Sequence, residues 1–405
     1  MLALLSAAAL MFRDFDLWLY PRFWAEGATV YLAEALTNSD AASVLTAPHL
    51  GYYSLLANLG GWLAAQLPLE RAPLATLGLS FVAQMLPILV VVTGRADVWK
   101  TLERKTVACL ILLVFGQAGE LHLTIALSQF HMTVLAALVY VEFGALAPDD
   151  RRTAREGPLL AVLALAGFSG PQACMLMPAF WLRHLKSRRP ADRAASMVLT
   201  AAVLVQASAV ILSPVGGATD RFVLPDNLGE RVWEFVQEMV KFPLFGDLSN
   251  RDGLAILAVV TLGSAAFLML QARTAWKGPH RDWLAIAWFV SLASTLASRR
   301  MSGDERYQLM ACALLALLLL ALAVDRRQPM IWRRIASVLL AIGIVTQAAL
   351  WPGRMAGSHD PDWPKWQDEV RAWRAGERDD LRIHPQWSDA PWSVTLPERL
   401  RIPAN

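Results

Sequence analysis

The stretch "PLATLGLSFVAQMLPILVVVTG" occupies residues 73–94 and contains no charged side chain. As an α-helix it would be about 33 Å long, which matches the roughly 30 Å hydrocarbon core of a bilayer. A basic segment, "RADVWKTLERK", follows directly in residues 95–105. An uncharged run of this length followed by a basic connection predicts a transmembrane helix that ends at a membrane surface.

The rest of the chain repeats this pattern. Of 405 residues, 56% are apolar and 18% are charged, and the mean hydropathy is +0.39, whereas soluble chains carry about 25% charge. We therefore predict an all-α polytopic membrane protein with about 10 or 11 transmembrane helices. The other apolar segments lie near 1–12, 50–67, 106–119, 123–147, 157–182, 194–214, 253–272, 282–298, 307–324 and 331–351.

Charge predicts the topology. Further basic connections resemble 95–105, and by the positive-inside rule all of them face the cytoplasm; they are 147–156, 183–193, 273–281 and 325–334. The polar stretches 13–49 and 215–252 and the tail then lie outside. Two spans at 50–67 and 73–94 would bring the chain back to the wrong side, and so would a single span at 157–182. Each doubtful segment is interrupted, by "GYYSLLANLGG" and by "GFSGPQ", so either could contain a re-entrant piece.

Two regions follow from this topology. Residues 1–352 form the transmembrane domain, with 13–49 and 215–252 as its large external loops, and residues 353–405 form an external tail rich in tryptophan. In the tail, Trp363, Trp366, Val370 and Trp373 share one face of a short predicted helix. These tryptophans either anchor the tail at the membrane interface or form a cap over an external cavity.

The first external stretch combines acids with aromatic residues. Asp14, Asp16, Glu26 and Glu34 lie among six large aromatic side chains, and residues 22–36 read as an amphipathic interfacial helix. One interpretation is an anchor with solvated acids. The other is a carboxylate at the lip of a cavity that acts as a general base, since burial raises a carboxyl pKa towards neutrality.

A second polar cluster interrupts the apolar sequence at "GQAGELHLTIALSQFHM", residues 116–132. If this segment is one helix, Glu120 and His131 lie on one side, and His122 and Gln129 on the other. Such polar groups within apolar sequence form either an interhelical network or part of a cavity wall that binds a polar substrate.

Two further motifs stand out. "ASRRMSGDERYQL" places Arg299, Arg300 and Arg306 in one short outer loop, where they contact headgroups or bind a lipid phosphate. "GFSGPQ", residues 167–172, breaks an apolar run, and a plain helix kink is the favoured interpretation.

No cofactor or metal site is predicted. The cysteines Cys109, Cys174 and Cys312 fall within apolar runs and read as packing residues. CxxC, HExxH and Walker-type motifs do not occur, and the basic loops are explained by topology, so no nucleic-acid partner is expected.

Taken together, several stretches resemble bacterial multi-spanning glycosyltransferases of the C type, which use polyprenyl-phosphate sugars. They occur in this order: "PRFWAEGATVYLAEAL", "HLGYYSLLANLGGWLAAQLP", "GELHLTIALSQFHMTVL", "AGFSGPQACMLMP", "DERYQL" and "DWPKWQDEVRAWRAG". The resemblance implies about a dozen helices, a large first external loop with an acidic catalytic base, and basic residues that hold a lipid-linked donor.

By position, Glu26 in "FWAEGAT" matches the acidic site, with Asp16 and Asp14 as the alternative acids. Gly27 stands where related sequences often have a second acid. Arg306, next to Tyr307, is the best match for a phosphate-binding arginine, and Glu120, His122, Gln129, Arg299 and Arg300 are the other expected substrate-binding residues.

The expected function is inverting transfer of a sugar from a polyprenyl-phosphate donor to a glycan, lipid or protein acceptor. It would take place at the outer face of the bacterial inner membrane, among membrane lipids, with the tail in the periplasm. One alternative is a transporter or flippase for a lipid-linked or amphipathic solute, with Glu120, His122 and His131 along the path. A further alternative is a non-catalytic scaffold in polysaccharide assembly.

Overall fold

The computed structural model describes residues 1–38, 40–115, 119–145, 155–212, 309–350, 363–387 and 390–401. The protein is mostly helical, as predicted. In chain order the α-helices are α1 (Leu2–Arg13), α2 (Asp16–Leu19), α3 (Ala33–Thr37), α4 (Ala41–Thr46), α5 (Leu55–Ala65), α6 (Pro73–Thr93), α7 (Leu102–Val114), α8 (Ser128–Ala145), α9 (Glu156–Phe168), α10 (Pro171–Cys174), α11 (Met177–Ser187), α12 (Pro190–Leu212), α13 (Leu309–Val324), α14 (Met330–Leu350) and α15 (Trp366–Arg374).

Within the described residues, four helical segments are long and apolar enough to cross a membrane: Leu69–Thr93, Ile125–Ala145, Pro190–Ile211 and Met330–Ala349. Shorter apolar helices accompany them at Leu2–Arg13, Leu55–Ala65, Glu156–Phe168 and Cys312–Val324. This agrees with the predicted class of protein. The predicted spans at 253–272 and 282–298, and the loop 215–252, lie outside the described residues.

Among the described helices, α8 lies at the centre. Residues 125–143 are all buried, and α6, α9, α10 and α13 pack around α8. By contrast, only 33% of Pro190–Ile211 and 22% of Met330–Ala349 are buried. A helix with apolar side chains on an uncovered face is typical of a lipid boundary, so α12 and α14 form the periphery of the described bundle.

Described parts of the basic connections meet at one end of the bundle, which we call the basic end. The backbone N–H of Arg95 donates to the carboxylate of Glu142 near the end of α8. The guanidinium of Arg189 donates to the carbonyl of Phe143 at 2.5 Å, and Arg155 donates to the carbonyl of Thr93. The turn Asp97–Trp99 also contacts α13. The helices that flank these connections therefore alternate in direction.

Both interrupted segments depart from a simple span. Helix α5 has 11 residues, or about 16 Å, so the 50–67 segment is too short for a full crossing. In the 157–182 segment, α9 leaves the basic end and stops at Phe168, and α10 and α11 return to it. "GFSGPQ" is therefore a turn between two antiparallel helices, and the expected kink is wrong, because Ser169 and Gly170 break the helix ahead of Pro171.

Residues 363–387 and 390–401 form a cap at the opposite end of the bundle. The predicted tryptophan helix is confirmed as α15 for Trp366, Val370 and Trp373, which are buried in one cluster with Phe23 and Leu69. Trp363 was expected on the same face but lies ahead of the helix. Burial of these indoles supports the capping interpretation over a membrane anchor. The antiparallel strands β1 (Leu381–Trp387) and β2 (Ala390–Val394) complete the cap and were not predicted.

Candidate functional site

The first loop is shaped by the cap. Trp24 forms a parallel bridge with His384 of β1, and the N–H of Ala25 donates to the His384 carbonyl at 2.6 Å. Because Trp24 and Ala25 pair with the cap, the predicted helix over 22–36 is wrong for residues 22–25. Helical structure begins with a π-helix at Gly27–Leu32 and continues in α3. Short π-helical segments are rare and often occur at functional sites.

A cleft lies between this loop, α6 and the segment that precedes α8. It is partly open to solvent. We call it the Arg22 cleft. Its lining residues are Leu17, Arg22, Phe23, Trp24, Gly27, Thr76, Leu77, His122, Leu123, Thr124 and Ile125.

Arg22 carries the positive charge of this cleft. Desolvation lowers its pKa to about 10, although the nearby Asp14 carboxylate favours the charged form. The guanidinium lies over the Trp24 ring, 4.8 Å from its centroid, and Nε has no hydrogen-bond partner among the described residues. Arg22 remains charged at neutral pH and is poorly hydrated, which favours binding of an anionic group.

His122 also lines the cleft and is 1% exposed. Burial lowers its pKa well below the usual value, and the positive charges of Arg13 and Arg22 lower it further. The Leu10 carbonyl lies nearby, but neither ring nitrogen makes a hydrogen bond of regular geometry with a described residue. His122 is therefore a neutral imidazole that can offer one N–H to a ligand.

The backbone is strained on both sides of the cleft. Ala25 has φ 41° and Leu123 has φ 52°, a left-handed conformation that residues other than glycine seldom adopt. Such conformations persist where the surrounding structure over-determines them, and they concentrate at functional sites. Here the cap fixes Ala25, and Leu123 lies between two short 3₁₀ turns.

The two 3₁₀ turns contradict the prediction of one continuous helix in this segment. Residues 120–131 are not one helix: Gly119–Leu121 and Ile125–Leu127 are 3₁₀ turns, and α8 begins at Ser128. His122 and His131 were expected on opposite sides, but they interact with each other. Glycine and polar residues in this segment do not sustain a helix, so the chain bends towards Arg13 and Arg22.

A second polar group, which we call the tyrosine cluster, comprises Glu26, Tyr31, Tyr52, Gln129 and Gln172. The amide of Gln129 donates to the Tyr52 hydroxyl at 3.3 Å. Burial raises the pKa of Tyr31 well above its usual value, and the charge of Tyr52, a side-chain hydrogen bond with Tyr52 and the charge of Glu26 raise it further. The cluster is next to the cleft along the chain, because Glu26 precedes Gly27 and Gln129 lies one turn after Ile125.

The predicted site residues are thus distributed over two places. Asp14 and His122 belong to the surroundings of the cleft, and Glu26 and Gln129 to the tyrosine cluster. Asp16 is exposed and Glu120 is partly exposed. Arg299, Arg300, Arg306 and Tyr307 lie outside the described residues.

Sequence reasoning missed Arg22 and Tyr52. The signal for Arg22 was its position among aromatic residues in "YPRFW", which would have marked an arginine at a cavity. At Gly27, an added Cβ would make only ordinary contacts, 3.8 Å from Phe23 and 3.9 Å from Ile125. A Cβ at this position is therefore tolerated without a clash.

Within the described ranges, no three His, Cys, Asp or Glu side chains are grouped as a metal site requires. The arrangement instead offers a desolvated guanidinium, a neutral imidazole, aromatic walls and nearby carboxylates.

No protein-family model matches the chain, and neither curated proteins nor solved structures give a significant match. The likeness to C-type glycosyltransferases therefore still depends on the short stretches quoted above.

Proposed function

We propose that the protein is a membrane glycosyltransferase that moves a sugar from a polyprenyl-phosphate donor to a cell-envelope acceptor. The observation that supports this most is the Arg22 cleft, where a desolvated cation and a neutral imidazole line a cavity with aromatic walls. A lipid-linked phosphate carries both an anionic and an apolar part, and the cleft offers a partner for each.

In this proposal Arg22 pairs with the donor phosphate and stabilises its charge as the bond to the sugar breaks. The acceptor oxygen attacks the anomeric carbon with inversion, and the polyprenyl phosphate leaves with the bonding electrons. Glu26 takes the proton of the acceptor hydroxyl.

Glu26 suits the role of base better than the other acids. It is partly buried and lies beside Tyr31, whereas Asp16 is exposed to solvent. Asp14 is 2% exposed and its charge acts on Arg22, so it is better placed to orient the guanidinium than to accept a proton.

The proposed location is the bacterial inner membrane. The basic end would face the cytoplasm by the positive-inside rule, so the cap and the cleft at the opposite end would face the periplasm. This orientation places the donor phosphate at the outer surface, where a cell-envelope acceptor is accessible.

The test is transfer of radiolabelled sugar from polyprenyl-phosphate glucose, mannose or arabinose to envelope fractions by the purified full chain in proteoliposomes. We expect Glu26→Gln to reduce the rate by about 100-fold or more. Glu34→Gln, in the same loop, is the matched control and should keep most of the activity. Full activity in a Glu26→Gln, Asp16→Asn double variant would exclude the assigned base.

Transport is a second candidate, because polar side chains continue from the cleft into the bundle. Gln84 of α6 donates to the Leu121 carbonyl at 2.9 Å, and His131 also lies against Leu121. Solute flux that is lost in His131→Leu, with no glycosidic bond formed, would favour transport over transfer.

A further inference from the structure

A small cavity lies inside the bundle, halfway along α6. Side chains of α1, α6, α7, α8 and α13 line it, and it has room for about one water molecule. Among the described residues that line this cavity, the polar ones are Gln84 of α6 and His131 of α8. The other lining side chains are apolar and include Leu10 of α1 and Leu309 of α13. The hydrogen bonds of the two polar side chains therefore decide what the cavity can bind.

Gln84 is left with an acceptor to satisfy. Its Nε2 donates to the Leu121 carbonyl at 2.9 Å. The opposite assignment of the amide would bring its oxygen against that carbonyl, acceptor against acceptor, so the hydrogen-bond network fixes the orientation. Oε1 is buried and has no hydrogen-bond partner of regular geometry among the described residues. The Gln84 side chain therefore needs one more donor.

His131 is left with an acceptor as well. Its imidazole forms a hydrogen bond with the backbone of the same residue, Leu121, and its Nε2 makes none of regular geometry in the described part of the chain. A neutral imidazole carries one N–H and one bare nitrogen. Once the N–H is used on the Leu121 carbonyl, the remaining ring nitrogen can only accept a hydrogen bond.

Pro87 adds a third acceptor. In an α-helix the N–H of residue 87 would donate to the carbonyl of Ala83, four residues earlier, but proline has no N–H. Pro87 lines the cavity, and Ala83 is completely buried. Within a bundle, a carbonyl that a proline leaves free in this way is commonly satisfied by a side chain of a neighbouring helix or by an ordered water molecule.

This set of acceptors selects the ligand. An anion would meet acceptors only. A metal ion or an ammonium group would satisfy them, but the positive charge of Arg13 already acts on His131, and none of the described lining residues is a carboxylate that could balance a second buried cation. Water is neutral, offers two O–H groups and fits the space. We propose that the cavity binds one water molecule, which donates to Gln84 Oε1 and His131 Nε2.

The water connects the interior of the bundle to the Arg22 cleft. Gln84 and His131 both hold the backbone of Leu121, and the next residue, His122, lines the cleft. By fixing the two side chains that hold Leu121, the water fixes the turn that carries His122 from the inner side. The water site is independent of the proposed function, and its test measures no sugar transfer.

The test is X-ray radiolysis of the full chain in detergent micelles, followed by mass spectrometry of side-chain oxidation. Radiolysis of a bound water produces a hydroxyl radical in place, which oxidises the side chains that touch it even where bulk solvent does not reach. We expect oxidation of Leu10 and Leu309, which line the cavity and are each 2% exposed. Leu138 and Leu319 are the matched controls, because they are buried leucines outside the cavity lining, at 0% and 3% exposed, and should stay at background.

A double variant tests the two acceptors. Gln84→Met with His131→Leu replaces both polar side chains by apolar ones, so oxidation of Leu10 and Leu309 should fall to the background level of Leu319. Thr133→Val is the control on the same helix, because the buried Thr133 hydroxyl donates to the Gln129 carbonyl at 2.8 Å and does not line the cavity. It should keep the oxidation of both leucines.

The water site is excluded if Leu10 and Leu309 of the wild-type chain are oxidised no more than Leu319, a result that needs no variant to fold. It is also excluded if the double variant keeps wild-type oxidation while its helix content and Tm show that it is folded. Neither result bears on the Glu26→Gln test of sugar transfer, so the two proposals fail independently.

Discussion

Glu142 provides the sharpest test of how the basic end is built. It is an acid on α8, where residues 128–143 are all buried, and it is 2% exposed. Its carboxylate accepts hydrogen bonds from Arg95 N (2.9 Å to Oε2), Ala96 N (3.0 Å to Oε1) and Trp99 Nε1 (2.7 Å to Oε1). An intramembrane acid usually suggests function, but these three donors account for Glu142 as the partner of the turn after α6.

The cost of Glu142→Gln follows from these bonds. If the amide oxygen keeps Ala96 and Trp99, the amide nitrogen meets the N–H of Arg95, donor against donor. One charge-assisted hydrogen bond is lost and two become neutral hydrogen bonds. Together these changes reduce the stabilisation of the native state by about 4 kcal/mol. Because the neutral amide no longer buries a charge, part of this is recovered, and we expect a net loss of about 2 kcal/mol. Glu142→Leu leaves three donors unpaired and should cost about 3–6 kcal/mol.

The measurement is the free energy of unfolding in mixed micelles, from dodecyl sulfate titration followed by tryptophan fluorescence. Glu103→Gln is the control: this exposed glutamate lies in the first turn of α7 at the same end, and its change should stay below about 1 kcal/mol. If Glu142→Leu unfolds at the wild-type concentration, or if Gln costs more than Leu, the reasoning from the three donors is wrong.

Three further predictions concern the cleft and its cap. Arg22→Gln should weaken binding of a fluorescent polyprenyl phosphate about tenfold or more, by equilibrium titration, whereas Arg371→Gln on the exposed face of α15 should not. Trp366→Phe removes the indole that donates to the buried Leu69 carbonyl at 2.6 Å. It should cost about 2–3 kcal/mol and speed protease cleavage within 363–401, and the partly exposed Trp392→Phe is the control. Burial, together with the charge of Arg22, lowers the pKa of His384 to about 3. Below pH 6.5 the His384 imidazole is therefore protonated in the unfolded chain but stays neutral in the native state. The free energy of unfolding decreases as the pH is lowered, by about 2 kcal/mol at pH 5. His384→Gln should flatten this dependence between pH 6.5 and 4, and an unchanged slope would show that His384 is not the group responsible.

The helices were predictable because their signal is local. A run such as 73–94 leaves a helix as its stable form in lipid, and α6 follows it closely at Pro73–Thr93. The tryptophan face of α15 was visible for the same reason, since a helix places residues three or four positions apart on one side. Segments 50–67 and 157–182 could be recognised as irregular, because full spans there would place basic loops on the wrong side of the membrane. Where their helices end could be known only from the structure.

The site was less predictable because its shape depends on distant parts of the chain. Residues 22–25 have an apolar pattern that allows a helix, but their backbone pairs with β1 of the cap. The cap is itself held to the bundle by Trp366 and Leu69, which are 297 residues apart in sequence. No local propensity encodes that contact, so Arg22 could be recognised as polar but not as a wall of the cleft.

The contact between the cap and the first loop also affects the cleft. The cap contacts the cleft through Trp24, whose ring lies next to Arg22 and also next to His384 and Trp363 of the cap. A change in the cap therefore reaches the cleft without touching a ligand. If the cap only stabilised the bundle, Trp366→Phe would lower the free energy of unfolding and leave phosphate affinity unchanged in the folded fraction. Because the cap also fixes the backbone of Ala25 between Trp24 and Glu26, we expect both the affinity and the transfer rate to fall in that fraction.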